Sequence, residues 1–321
     1  MTPNKNTITC ELSGHYRLRM SSPERGDHVV AEFDNLILDA GLDRVAAGTL
    51  MSHCHVGSGA ATPATTDTSL QTFLASSSTT GTGNNTTTYV AGPPDYIELL
   101  VVRTFGAGVG TGNISEIGMG WSATTGSLFS RALVVDGGGS PLTIVKAADE
   151  TLTVEYRLRI YPPASDVTGS KTISGSSYSY VIRPALVSTV ALGPGSFGWN
   201  TSYLLGFSSG IRLGNVATAY GSGATLGTRT STPSAASQTN AYGSLSSATY
   251  STGSYSRQCT LTSGLSNANT TGGVGALLFG FQSDGNSASI GAAFQISFSP
   301  VLPKDATKVL NLTFTITWAR R

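Results

Sequence analysis

The triplet His53-Cys54-His55 is the segment whose side chains are best suited to metal chemistry. On an extended strand alternate side chains share a face, so the two imidazoles would point to the same side. Three copies around a threefold axis would then offer six nitrogens in an octahedral arrangement. The triplet stands alone, however, beside Val56-Gly57-Ser58-Gly59. We therefore predict an ordinary surface pair of histidines, and no metal or other cofactor.

Two glycine-containing patterns resemble enzyme motifs. Gly206-Phe207-Ser208-Ser209-Gly210 fits the nucleophile elbow of hydrolases, but that site needs a later histidine, and all four histidines precede it. Gly106–Gly112 follows an apolar strand, but Asn113–Gly118 does not begin the helix that a dinucleotide site requires. The 18 acidic residues are scattered and form no visible pair for glycoside cleavage. The sequence therefore predicts no catalytic residues and a protein that is not an enzyme.

The segment from Tyr220 to Arg257 differs in composition from the rest of the chain. Tyrosines and arginines interrupt a background of Ser, Thr, Gly and Ala. This composition is typical of adaptable binding loops, because a rigid ring gives much contact area for few lost torsions. We predict receptor-binding contacts at Tyr242, Tyr250, Tyr255 and Arg257. An exposed linker or an arm between subunits explains the same composition.

The overall composition excludes several classes of protein. Lys and Arg number 19 against 18 Asp and Glu, and charged residues are only 12% of the chain. No basic stripe is available for phosphates, so nucleic acid is not an expected partner. No run of about 18 apolar residues occurs, which predicts no membrane insertion. Residues 1–6 lead into alternating residues rather than an apolar region, so no secretion signal is predicted.

The three cysteines are Cys10, Cys54 and Cys259. Their odd number and wide spacing fit neither a disulfide framework nor a zinc ribbon. We predict buried free thiols in a protein that is made in a reducing cytoplasm.

Most of the legible segments alternate between apolar and polar residues, which is typical of strands with one wet face. The clearest are Tyr16–Met20, Thr151–Ile160 and Leu310–Trp318. Shorter candidates are Ile97–Phe105, Leu128–Val134, Tyr178–Ile182, Tyr203–Phe207, Ala276–Phe281 and Ala292–Phe298. Two short helices are predicted, one beginning at Asp39 and one capped by Asp67.

Because so little helix is predicted, the sheets must cover each other. The predicted fold is all-β, with two tandem antiparallel β-sandwich (jelly-roll-like) domains and long Gly/Ser/Thr-rich loops. The stretches Ser76–Thr88 and Tyr220–Tyr255 are predicted surface excursions.

The chain also contains an internal similarity. Lys146 and the strand from Leu152 match Lys304 and the strand from Leu310, since 304 − 146 = 158 and 310 − 152 = 158. We predict two domains, residues 1–163 and 164–321, with the second a diverged duplicate of the first. The prolines of Tyr161-Pro162-Pro163 would end strand pairing at the boundary. The alternative is that any two amphipathic strands after a turn look alike.

A family resemblance emerges from several motifs taken in order. They are Asn35–Arg44, His55–Gly59, Thr66–Leu70, Ile114–Trp121, Leu128–Leu133, Val154–Ile160, Pro303-Lys304 and Trp318-Ala319-Arg320. Together they resemble a family of tail-fibre-like or minor tail structural proteins of tailed bacteriophages. The resemblance covers most of the first half and the extreme C-terminus, but not the middle, roughly 168–273.

The resemblance implies a virion part in the phage tail, assembled in the cytoplasm of the bacterial host, and it carries no catalytic residues. The expected partners are copies of the chain itself, as a trimer or higher symmetric oligomer, and other tail or baseplate proteins. Leu310–Trp318 would pair with a neighbouring subunit at an open sheet edge. The alternatives are a receptor-binding module for a host glycan or pilus, and a capsid decoration or head-fibre protein.

Overall fold

The computed structural model describes residues 7–46, 51–84, 86–185, 212–241, 244–282 and 291–321. Up to residue 163 the strands are β1 (Thr7–Ser22), β2 (Gly26–Asp34), β3 (Leu36–Ile37), β4 (His53–Gly57), β5 (Phe73–Ser77), β6 (Thr86–Val90), β7 (Tyr96–Phe105), β8 (Gly112–Ile114), β9 (Glu116–Gly120), β10 (Leu128–Leu133), β11 (Ile144–Lys146) and β12 (Thr151–Tyr161). After it come β13 (Val167–Ile173), β14 (Ser176–Pro184), β15 (Arg212–Tyr220), β16 (Gln238–Asn240), β17 (Ser244–Ser247), β18 (Ser256–Ser263), β19 (Val274–Gln282), β20 (Gly291–Leu302) and β21 (Leu310–Arg320). The helix α1 is Asp39–Val45.

The all-β prediction is confirmed, and the alternation of side chains explains why. Along β21 buried residues alternate with half-buried or exposed ones, as they do along β1. Each strand therefore has one face in the core and one face outward. The candidate strand Tyr203–Phe207 lies outside the described residues.

One of the two predicted helices is present. α1 begins at Asp39 and buries Leu42 and Val45. The prediction of a helix after Asp67 is wrong, because Phe73–Ser77 pairs with β4 as strand β5. The Asp67 carboxylate instead accepts the backbone N–H of Ala64 in a turn, at 2.8 Å. No helix among the described residues has the length and apolar character needed to cross a membrane.

The largest sheet has eight strands, in the order β17-β18-β21-β1-β12-β7-β6, with β2 also paired to β1. Strand β1 is the centre of this sheet. It pairs with β12 on one side, and on the other side with β21 near its start and with β2 near its end. The sheet therefore takes strands from both sides of residue 163, and the boundary itself stays a prediction.

The pairing of β1 with β21 is parallel, whereas the other paired strands of the eight-stranded sheet are antiparallel. The prediction that Leu310–Trp318 pairs with a neighbouring subunit at an open edge is wrong in part. β18 pairs with one edge of β21, and β1 pairs with the other. One edge of β21 is therefore occupied within the chain from Leu310 to Thr317, and the other from Thr315 to Arg320.

Two smaller sheets cover the core, and their strand orders correspond. The five-stranded sheet has the order β3-β10-β9-β4-β5, and the six-stranded sheet contains β14-β20-β19-β15-β16 after the edge strand β13. Within the eight-stranded sheet, β6-β7-β12 corresponds in the same way to β17-β18-β21. The second half thus repeats the strand order of the first.

The register of the long strands repeats as well. Leu152 lies opposite Phe105 and Leu310 lies opposite Ser263. Because 310 − 152 = 158 and 263 − 105 = 158, the paired strands repeat at the offset that the sequence contains. The repeat extends to the buried lysines: Lys146 donates to the Gly106 carbonyl at 3.0 Å, and Lys304 donates to Asn269 Oδ1 at 2.7 Å.

One hydrophobic cluster fills the space between the three sheets. It includes Leu99 and Phe314 of the eight-stranded sheet, Met119 of the five-stranded sheet and Phe294 of the six-stranded sheet. The prediction of buried free thiols is confirmed for all three cysteines. The prediction that Ser76–Thr88 and Tyr220–Tyr255 are only surface excursions is wrong in part, because they contain most of β6 and all of β16 and β17.

Candidate functional site

The tyrosine-rich segment packs against α1 and β21. Tyr250 Oη donates a hydrogen bond to Asp43 Oδ1 at 2.5 Å, and its ring stacks on Trp318 with 5.8 Å between centroids. Burial raises the pKa of Tyr250, and the adjacent Asp43 carboxylate raises it further. The indole N–H of Trp318 donates to the Leu42 carbonyl at 2.7 Å. Tyr250 therefore contributes to the junction between the second half and the helix of the first.

Tyr255 completes the same junction. Its backbone has a positive φ of 44°, which a bulky side chain rarely adopts and which the surrounding contacts must hold in place. Its N–H donates to Tyr250 Oη at 3.3 Å, and its carbonyl accepts the N–H of Trp318 at 2.9 Å. Burial raises the pKa of Tyr255, as does the nearby Asp39 carboxylate. Asp39 also forms an ion pair with Arg320, which lowers the pKa of Asp39.

These contacts bear on the predicted receptor-binding residues. Arg257 donates to the carbonyls of Ala248, at 3.2 Å, and Ala46, at 3.4 Å. Tyr250, Tyr255 and Arg257 are thus brought together, but each of them makes contacts within the chain. Tyr242 lies outside the described residues. The receptor-binding role stays a prediction.

A second junction between the halves lies near Asp95 and Pro163, and the sequence analysis did not predict it. Arg229, in the loop after β15, forms a bidentate ion pair with Asp95, just before β7, at 2.8 and 2.6 Å. Arg229 Nη1 also donates to the Pro163 carbonyl at 2.8 Å. The Asp95 side chain is 10% exposed and that of Arg229 26%. This cluster connects both halves with the predicted boundary segment.

Loops cover the outer faces of the two smaller sheets, and each is fixed by buried polar side chains. On the five-stranded sheet, Glu116 is fully buried and accepts backbone N–H groups from Gly59, Gln71 and Thr72 at 2.7–3.0 Å. Arg131 donates to the same carboxylate at 3.1 and 2.7 Å. Burial alone would raise the pKa of Glu116, but these hydrogen bonds outweigh it and the pKa is lowered.

The six-stranded sheet has an equivalent arrangement. Gln295 is fully buried, accepts the N–H of Gly227 at 2.7 Å and donates to the Thr228 carbonyl at 2.8 Å. Arg183 donates to the Gly227 carbonyl at 2.7 Å and pairs with Asp166. This arrangement positions Arg229 for its contact with Asp95.

The histidine pair is not an ordinary surface pair, and that prediction is wrong for His55. His55 is 1% exposed, and its Nε2–H donates to the Ser122 carbonyl at 2.9 Å. Burial lowers the pKa of His55. His53 is half-buried and shares a hydrogen bond with Ser52. Within the described ranges, no group of three or more His, Cys, Asp or Glu side chains is arranged to hold a metal ion.

The two enzyme-like glycine patterns have different outcomes. Gly106–Gly112 connects β7 to β8, and Gly108, Gly110 and Gly112 have positive φ angles. The prediction that Asn113–Gly118 does not begin a helix is confirmed, because these residues lie in β8 and β9 and at Ser115 between them. The segment Gly206–Gly210 lies outside the described residues.

The outer face of the eight-stranded sheet is formed by strands of both halves. Its part on β12, β7, β2 and the second half of β1 is charged, and opposite charges are paired. The ion pairs are Arg17–Glu32, Arg19–Asp27, Arg19–Glu155, Arg157–Glu155, Arg157–Glu98 and Arg159–Glu98, and the His15 ring is hydrogen-bonded to Asp34 and Glu32. The charges of this part are therefore largely neutralised within the chain.

The remaining part of this face, on β18, β21 and the start of β1, carries hydroxyl and amide groups. The hydroxyls of Thr9 and Thr317 share a hydrogen bond of 2.8 Å, and those of Thr260 and Thr313 one of 2.9 Å. Near the middle of the sheet, Arg321 lies over the ring of Tyr161 at 4.1 Å, where the ends of the two halves meet. The face is thus mostly polar, with few uncompensated charges, and Leu100, Val102 and Val29 are apolar residues on it.

No family model, curated protein or solved structure matches this chain.

Proposed function

We propose that the chain is a structural component of a tailed-phage virion, at the tail tip, baseplate or fibre attachment. In this role it acts through contacts with other copies of itself, as a trimer or higher oligomer, and with other tail proteins. The proposal rests on the ordered motifs that resemble tail structural proteins and on one structural observation, the outer face of the eight-stranded sheet.

That face suits burial in an assembly. Transferring an unpaired charge from water into an interface is costly, whereas hydroxyl rows and mutually neutralised charges lose less on desolvation. The Glu155 and Glu98 side chains are only 12% and 19% exposed, because the neighbouring arginines already cover them. The hydroxyl-rich part of the face, on β18 and β21, is poor in charge, which is typical of the cores of protein interfaces.

A receptor-binding role draws less support from the geometry. The rings of Tyr250 and Tyr255 are half-buried and make contacts with α1 and β21. Replacing Tyr242, Tyr250 and Tyr255 together discriminates the two functions: loss of receptor binding by particles that still assemble favours recognition, and failure of assembly favours an architectural role.

The position of the chain in the intact particle tests the proposal. Cryo-electron microscopy of the virion, with a tagged copy for labelling, is expected to place density for the chain at the tail. Density on the head would instead support the alternative of a capsid decoration or head-fibre protein. Absence from the particle would refute a virion role altogether.

A further inference from the structure

The eight-stranded sheet ends in two edge strands, β6 and β17. β6 pairs only with β7, and β17 pairs only with β18; among the described residues no strand occupies the other edge of either. An open edge presents unpaired N–H and C=O groups to any extended segment that approaches it.

Both edge strands are short, which limits such pairing, but neither has the other features that usually prevent it. Edge strands are commonly protected by charged side chains, prolines or bulges. Strand β2, the third edge of the same sheet, carries Asp27, Glu32 and Asp34. By contrast, β6 is Thr-Thr-Thr-Tyr-Val and β17 is Ser-Leu-Ser-Ser, without a charge or a proline. Their pairings with β7 and β18 contain no register shift.

The directions of the two edge strands are opposite. Passing from β6 to β17 through the sheet crosses five antiparallel pairings and the single parallel pairing of β1 with β21. Five reversals leave β17 antiparallel to β6. A second copy placed beside the first in the same orientation, or related to it by a rotation in a ring, therefore brings its β17 antiparallel to β6.

The side chains at the two edges are also compatible. Thr88 lies opposite Glu98 of β7, on the outer face, and is exposed; Ser246 lies opposite Thr260 of β18, on the same face, and is exposed. Joining the edges would place Thr and Ser hydroxyls across the new pairing. The same sheet already contains such a cross-strand pair, Thr260 with Thr313. No charge repels the approach.

We propose that a second copy of the chain pairs its β17 with β6, so that the sheet continues from one subunit to the next. Within one chain, β1 already joins the two halves in a single sheet, because it pairs with β12 of the first half and with β21 of the second. The proposed pairing would join two chains in a single sheet in a similar way. Because it is a heterologous contact, it generates a ring where the rotation closes and a filament where it does not. This inference deepens the proposed function by naming an interface, but it can fail while a virion role stands.

Two single-cysteine variants, Thr88→Cys and Ser246→Cys, test the pairing on the purified full-length chain. The three native cysteines are at most 6% exposed, so a bismaleimide cross-linker will react chiefly with the new thiols. The cross-linker is long enough to connect the two thiols even if the paired strands are shifted by two residues, roughly 7 Å. We expect a covalent dimer only when the two variants are mixed, and a ladder of larger products for the double variant.

Other cross-linking results would overturn the proposal. A dimer from Thr88→Cys alone would mean that β6 pairs with β6. A mixture that gives no more product than either variant alone would mean that these edges do not meet. A chain that stays monomeric by light scattering at every concentration tested would exclude the joint as well.

A lysine at the edge, with a matched control, separates edge pairing from packing of the outer face. Thr88→Lys is expected to abolish self-association, whereas Thr313→Lys, on the same face of the interior strand β21, is expected to leave it intact. Circular dichroism checks that both variants fold. If both variants lose association, or neither does, the edge is not the interface. The location of the chain in the particle is read separately, so failure here leaves the proposed function open to its own test.

Discussion

The ion pair between Arg229 and Asp95 gives a sharp test of how the two halves are held together. Asp95→Ala removes two charge-assisted hydrogen bonds and leaves the guanidinium with the Pro163 carbonyl as a remaining acceptor. Breaking a fully buried pair costs about 3–5 kcal/mol and an exposed pair contributes about 0–1 kcal/mol. With side chains 10% and 26% exposed, we expect a loss of about 2–3 kcal/mol in the free energy of unfolding.

This loss of stability can be measured as a fall in Tm and as faster hydrogen exchange in one loop. An unfolding entropy of about 2.1 cal/mol/K per residue implies a fall in Tm of roughly 3–5 °C for a chain of 321 residues. Hydrogen exchange should also speed up in the loop that carries Arg229, including the paired amides of Thr225 and Ser234. The exposed pair of Arg321 with Glu11, side chains 41% and 48% exposed, is the matched control, and Glu11→Ala should cost about 0–1 kcal/mol.

A double-mutant cycle decides whether the pair itself is responsible. Asp95→Ala, Arg229→Ala and the double variant should give a coupling free energy of about 1.5 kcal/mol or more. A coupling below about 0.5 kcal/mol would refute the interpretation of Arg229 and Asp95 as a clamp between the halves.

Three further predictions concern buried polar groups. Glu116→Gln should destabilise the chain by about 2–4 kcal/mol in urea denaturation, because Arg131 would keep a buried charge with only the partly exposed Asp67 carboxylate as its partner; an effect below about 1 kcal/mol would contradict this. The lowered pKa of His55 means that the unfolded chain binds a proton more readily, so stability should fall as pH drops below about 6.5, and His55→Gln should reduce that dependence. An unchanged pH profile would exclude His55 as its source. Tyr250→Phe should cost about 1–2 kcal/mol through the lost hydrogen bond to Asp43, and Tyr250→Phe in an Asp43→Asn background should cost less.

The fold class followed from the sequence because alternation is a local property. In each of the long strands, about ten residues of alternating apolar and polar character are enough to identify the face that is buried. The sequences of β12 and β21 also showed the internal repeat. The pairing of β1 with β21 could not be predicted, since it brings together residues such as Thr9 and Thr317, which are 308 positions apart. The helix expected after Asp67 failed for a related reason: an open edge on β4 recruits Phe73–Ser77 into the sheet.

The candidate site was predictable only in part. The composition drew attention to Tyr250 and Tyr255, but the partner that fixes Tyr250, Asp43, lies 207 positions away. Glu116 and Arg131 were missed, although a signal exists. Each is a charged residue within a short strand whose other members are apolar or small, and a charge in that setting requires a buried partner.

The pairing of the first strand with the last has a consequence for how the chain is made. On the ribosome, β1 is made long before its partner β21, so one edge of β1 at Thr7–Leu12 must wait until β21 has been made. Such a long-range closure is slow, because its loop entropy is lost before the pairing compensates it. During that interval Ile8 and Cys10, which are buried in the finished molecule, lack the neighbouring strand β21. The pairing of β1 with β21 is therefore expected to form late in folding, and removal of β21 should leave this edge of β1 open to pairing with other chains.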